Sequence, residues 1–173
     1  MGILDSLSDV LKNYNSGEPR NTADASEHFD QVAQAAPHDL LADGIAAAFR
    51  SDKTPAFGSL ISQLFSQSNS EQKAGILNQL LASIGPGALA QLPGGATLAG
   101  LLGSAGNQIT PDQAQKISSE TVQQVAAHAE KTDPSIVERA GAFYAQHSTL
   151  VKTLGGAALS IALAKVAERQ RAA

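Results

Sequence analysis

Cysteine and tryptophan are both absent from this chain of 173 residues. The missing thiol excludes a disulfide framework, a thiolate nucleophile and any Cys-ligated zinc or iron–sulfur site. It also agrees with a reducing compartment, so a cytoplasmic location is expected. Aromatic residues make up 4% of the chain and charged residues 16%, the latter against roughly 25% in an ordinary soluble domain. So few aromatic and β-branched residues argue against a sheet protein, and the abundant Ala, Leu, Gly, Ser and Gln suit helices packed through small side chains.

The deepest deficit is local. Between Lys73 and Asp112 no residue carries a charge, and Ala74 to Pro111 holds eight of the fifteen glycines and three of the seven prolines. A stretch like this is buried, docked on a copy of itself, or in contact with lipid. Its breaks at Gly85-Pro86-Gly87 and Pro93-Gly94-Gly95 leave Ala88–Leu92 and Ala96–Leu102 about two helical turns each. Neither approaches the roughly 18–20 residues needed to span a bilayer. A helical hairpin packed through glycine, or a short apolar turn touching a membrane surface, stays open.

Charge is unevenly spread: residues 1–83 carry ten acids and five bases, residues 84–173 six acids and seven bases. Neither half offers the clustered basic face that phosphate neutralisation requires, so nucleic acid is not expected as a partner. Thr110–Lys131 has the outline of a helix-turn-helix, with Gln123, Gln124 and His128 placed to face a groove. Lys116 and Lys131 are opposed there by Asp112, Glu120 and Glu130, which argues against DNA.

At the amino terminus Asp5 and Asp9 interrupt the apolar positions, so no export signal is read. Met1-Gly2 followed by Ser6 fits the loose acylation pattern with Gly2 as acceptor, but no basic patch supplies a second anchor. Ile3, Leu4, Leu7, Val10, Leu11 and Tyr14 recur on one helical face, which predicts an amphipathic helix over 1–14. Residues 15–24, NSGEPRNTAD, read as a flexible linker, and 25–173 as the helical domain.

Within that domain the apolar period is 3.6 throughout. Phe29, Val32, Ala33 and Ala36 mark one helix; Pro37 suits the first turn of the next, with Leu40, Leu41, Gly44, Ile45, Ala48 and Phe49 inward. Phe57, Leu60, Ile61, Leu64 and Phe65 form the cleanest amphipathic face, with Ser and Gln opposite. Ser70 opens a helix through Ile76, Leu77, Leu80, Leu81 and Ile84. Thr110-Pro111-Asp112, Ser118 or Ser119 with Glu120, and Asp133-Pro134 are three further start signals. The helices they open bury Val122, Val125, Ala126 and Ala129, then Ile136, Val137, Ala140, Phe143 and Tyr144. A last helix runs from Ser148 or Thr149 to near the end. Its centre, Thr153–Ala164, is uncharged and apolar nearly all round, and Gly155-Gly156 would allow close approach to a neighbour.

Catalytic and metal-binding patterns are missing. His28, His38, His128 and His147 stand in no His-x-x-x-His or Glu-x-x-His spacing, so no metal is expected. Gly100, Gly103 and Gly106 near Ser104 lack the strand, the Lys-Ser/Thr and the acid of a phosphate loop, and there is no G-x-S-x-G elbow. The expectation is a non-enzyme with no cofactor.

Met1-Gly2-Ile3-Leu4-Asp5, the uncharged Leu98-Ala99-Gly100-Leu101-Leu102-Gly103 and the two short helices after it resemble the YidB-like family of small bacterial proteins. The resemblance implies a bacterial, all-helical protein and supplies no catalytic residue. The longer helical region Phe29–Leu81 and the apolar C-terminal helix depart from it.

These readings converge on an all-α, single-domain helical bundle of about seven to nine short helices with a Gly/Leu-rich uncharged central segment. Its expected role is that of a structural or interaction protein that self-associates as a homo-oligomer through uncharged helix faces. Ile3, Leu4, Leu7, Val10, Leu11, Leu89, Leu92, Leu98, Leu101 and Leu102 are the candidate interaction residues. A peripheral membrane or lipid-binding protein, using the first helix or the Gly/Leu segment, is the alternative.

Overall fold

The computed structural model describes residues 22–84, 86–104 and 108–172. The amphipathic helix expected over 1–14 lies outside them, as does most of the expected linker. Among the described residues every regular element is helical: eleven α-helices and one 3-10 turn. The all-α expectation is met, with more and shorter pieces than the seven to nine anticipated. None of these helices is long and apolar enough to cross a membrane.

The described chain clusters into two compact units, where the sequence suggested one domain. The first is built from residues up to Pro55 and from Ala140 onward, the second from Ala56–Arg139.

The first unit contains α1 (Thr22–Ala35), α2 (His38–Arg50), the end of α9 (Ile136–Ala145), α10 (Ser148–Val151), the 3-10 turn Lys152–Leu154, and α11 (Gly156–Ala172). Pro37 proves to be the N-cap of α2 rather than part of its first turn. The apolar face read for α2 is buried apart from half-buried Leu40. α11 packs most extensively on α2, and then on α1. Gly44 makes the α2–α11 contact close: a Cβ built there would lie 2.6 Å from the Ala162 carbonyl oxygen. Gly141 does the same for α9, where a Cβ would meet the Ala42 carbonyl oxygen at 2.7 Å. Ion pairs Lys152–Asp30 (2.8 Å) and Arg169–Asp43 (2.6 Å) flank the packed helices. Both are partly solvated, so each adds at most about 1 kcal/mol.

The C-terminal helix is not continuous from Ser148. Gly155 has φ +93°, which ends the 3-10 turn and lets the chain start α11 in a new direction. A Cβ there would meet nothing within 4 Å, so its role is backbone conformation and not close approach to a neighbour. α11 is also less enclosed than its composition suggests, since Ile161 and Ala164 are half-buried and Ala157 is exposed. Phe143 on α9 is likewise half-buried, while Tyr144 beside it is fully enclosed.

The second unit holds α3 (Phe57–Gln67), α4 (Ser70–Ala82), α5 (Pro86–Ala90), α6 (Gly95–Ser104), α7 (Pro111–Gln115) and α8 (Ser119–Thr132). All five residues of the α3 apolar face are buried, as are all four of α8, and these two helices pack together. Gly58 permits the approach, because a Cβ would stand 2.7 Å from the Gln123 carbonyl oxygen. The helix starts follow local chemistry. Thr110 and Gln113 form a capping box with Pro111 in the first turn, and Ser118 accepts from the Thr121 amide at 3.2 Å. At α4 the cap is Asn69, boxed with Gln72, one residue before the expected Ser70. Asn78 then ties α4 to the segment leading into α7: its Oδ1 accepts from the Ile109 amide (2.8 Å) and its Nδ2 donates to the Ile109 carbonyl (3.2 Å).

Candidate functional site

Within the charge-free interval, α5 and α6 pack on each other across Gly94-Gly95. Gly94 has φ +75°, and a Cβ at Gly95 would collide with the Leu89 carbonyl oxygen at 1.7 Å. The turn therefore demands both glycines. Leu89 and Leu98 are buried at 1% and 0% exposure. Those two candidate interaction residues consequently have no surface to offer a partner, which corrects their place in the set. Leu92, Leu101 and Leu102 are half-buried and keep part of their surface. Around them Ala90, Gln91, Pro93, Ala96, Thr97 and Gly100 are exposed. The result is a solvent-facing surface of Leu, Ala, Gly, Pro, Thr and Gln without a charge. Gly100 lies inside α6, and a Cβ there would meet nothing within 4 Å. Packing among the described residues does not require that glycine. Ile3, Leu4, Leu7, Val10 and Leu11, the remaining candidates, lie outside the described residues.

The outer face of α3 is uncharged as the sequence indicated, with Gln63, Ser66 and Gln67 exposed. Ser66 Oγ donates back to the Gln63 carbonyl at 2.7 Å, so part of this face satisfies its polar groups locally.

Ala56, Gly58, Ser59, Gln123, Ala127, Glu130 and Lys131 line a groove of about 300 Å³ at the start of α3 against α8. Its hydroxyl and amide are joined to each other, Gln123 Nε2 donating to Ser59 Oγ at 3.1 Å, and its lining holds no histidine to activate Ser59. The same bond turns Gln123 towards α3. No group of three or more His, Asp or Glu side chains is placed to hold a metal among the described residues. His147 lies against the Phe143 ring, centroids 4.9 Å apart.

One buried polar atom stands out. The Tyr144 hydroxyl has no hydrogen-bond partner among the described residues. Its ring meets Phe49 and Phe143 edge-on, with centroids 6.2 and 5.1 Å away. Burial pushes its pKa well above the usual tyrosine value, because a phenolate there would lose its hydration. No cationic partner accompanies that shift, so the hydroxyl is a stable neutral group and not an activated base.

Asp133 shows the opposite shift on the surface of the second unit. Hydrogen bonds from the Ser135 hydroxyl (2.6 Å) and amide (3.2 Å) lower its pKa, with a smaller contribution from Arg139. Arg139 reaches both Asp133 and Ser83 Oγ, joining the ends of α8 and α4. This network is a structural clasp, made of residues that sequence spacing alone does not bring together. Comparison of the chain with protein-family models, with curated proteins and with solved structures returned no match.

Proposed function

We propose that this chain is a non-enzymatic structural or interaction protein that associates with copies of itself through uncharged helix faces. The observation that carries this reading is the α5–α6 surface, where Leu92, Leu101 and Leu102 keep exposed area among Ala90, Ala96 and Gly100. Solvated helix faces normally carry Lys and Glu, whose absence here leaves apolar area in water at a cost of about 25 cal/mol per Å². A second copy presenting the same surface would remove that area without stranding any charge, and small residues such as Ala96 and Gly100 let two backbones come close. A symmetric, self-complementary contact is the simplest way for one patch to serve both partners.

Sedimentation equilibrium over a wide range of protein concentration tests this reading. The expected result is a mass that rises towards a dimer or a larger closed assembly, and that Leu102→Glu returns to the monomer. A monomer throughout contradicts it. Flotation of the monomer with neutral or anionic vesicles would instead assign the surface to lipid.

A further inference from the structure

We infer that Gly155 is the hinge of a helix exchange: when the break there straightens, α11 leaves the α1–α2 surface of its own chain and packs on that of a second copy. Gly155 has φ +93° and ψ 172°, a region essentially closed to any residue with a side chain. Yet a Cβ at this position would meet nothing within 4 Å, so no neighbour demands glycine; the bend alone does. The chain is already helical on either side, with α10 and the 3-10 turn before the hinge and α11 after it. No proline lies between Ser148 and Ala172, and only Gly155 and Gly156 weaken a continuous helix there. Local preference and tertiary packing thus disagree at one residue, which brings two arrangements of the same chain within reach of each other.

What the straightened form does follows from what anchors each side. Leu150 and Val151 are buried, α10 packs on α1, and Lys152 Nζ pairs with Asp30 at 2.8 Å, so α10 stays with its own chain. α11 packs on α2 and α1 across the bend, so a continuous helix carries it off that surface. The freed surface is shaped for this helix: Gly44 leaves no room beside the Ala162 backbone, and Asp43 pairs with Arg169 at 2.6 Å. Its fitting occupant is the α11 of another copy, and two copies that trade helices remake every α2–α11 contact between them. Bent monomer and exchanged dimer then differ chiefly at the hinge, so residue 155 decides the balance. Glycine keeps α11 in its own chain. Alanine is penalised in the bend and favoured in the helix, and together the two effects shift the hinge by on the order of a hundredfold towards exchange.

This inference does not rest on the α5–α6 surface, and its test is run with that surface disabled. Two full chains are made on the Leu102→Glu background, one carrying Asp43→Cys and the other Arg169→Cys, both with Gly155 or both with Gly155→Ala. Each pair is mixed, unfolded in urea, refolded together at high concentration and treated with a short bismaleimide. A cross-link between positions 43 and 169 at dimer mass, identified by peptide mapping, forms only when the α11 of one chain lies on the α2 of the other. Its yield should be at least about tenfold higher with Gly155→Ala than with Gly155, and should fall back when Ala157→Pro is added. Ala157 is exposed in the first turn of α11, where proline is tolerated, whereas inside a continuous helix proline breaks the hydrogen-bond ladder. Equal yields with Gly155 and with Gly155→Ala overturn the inference, as does a yield that Ala157→Pro leaves unchanged. Loss of the helical spectrum in Gly155→Ala overturns it too, because the exchanged form holds alanine without strain.

Discussion

Gly44 and Ala162 face each other with no room for a side chain between them: a Cβ on Gly44 would lie 2.6 Å from the Ala162 carbonyl oxygen and 2.9 Å from Val166 Cγ2. The first of these neighbours is backbone, so it cannot rotate away. Gly44→Ala should therefore destabilise the chain by about 1–3 kcal/mol, the usual cost of overpacking, although alanine is the better helix former. Urea unfolding followed by circular dichroism measures it.

Gly100 gives the reverse expectation for the same substitution. It sits inside α6 with open space where a Cβ would go, so Gly100→Ala should stabilise the isolated chain by about 0.5–1 kcal/mol. If a second copy packs against this face, the added methyl weakens association at the same time. Urea unfolding at low concentration and sedimentation at high concentration separate the two effects.

Asn78 holds both backbone groups of Ile109. Asn78→Ala leaves a half-buried amide and carbonyl without their partner, which should cost about 1–3 kcal/mol. Hydrogen exchange should report faster exchange of the Ile109 amide, with the amides of α11 unaffected.

The orphaned hydroxyl of Tyr144 makes an unusual prediction for a buried tyrosine. Tyr144→Phe removes a desolvated group that has no hydrogen-bond partner among the described residues, so stability should be unchanged or raised by up to about 1 kcal/mol, where a bonded tyrosine would lose about as much. The pH dependence follows from the raised pKa. The unfolded chain ionises near pH 10 and the folded one resists. Tyr144 therefore contributes its full stability below about pH 10 and loses it progressively above. Urea midpoints from pH 8 to 11 should fall less steeply in Tyr144→Phe than in the parent chain.

The reach of sequence reasoning follows the range of the forces involved. The α3 face from Phe57 to Phe65 and the cap at Thr110 are legible, and the start of α8 is legible to within Ser118 or Ser119, because each depends on neighbours within one or two turns. Asn69 and Ser70 are both good caps in sequence, and only the geometry of Gln72 decides for Asn69. The break at Gly155 is not legible in sequence, because a glycine in an alanine-rich run reads equally well as close packing. The burial of Leu89 and Leu98 is not legible in sequence either, because helices of two turns have too little period to say which side is inward. Nothing local could reveal that Asn78 meets Ile109, that Gly44 meets Ala162, or that the chain leaves one compact unit at Pro55 and returns at Ala140. Those are choices of tertiary packing.

The proposed self-association sets copies of this chain against one another at the α5–α6 surface. Sedimentation equilibrium on the parent chain and on Leu102→Glu, from low to high micromolar concentration, tests it most directly. The parent's mass should climb with concentration, and the variant should stay a monomer with an unchanged helical spectrum. A parent chain that remains monomeric across the range, or a variant that associates as strongly as the parent, contradicts it.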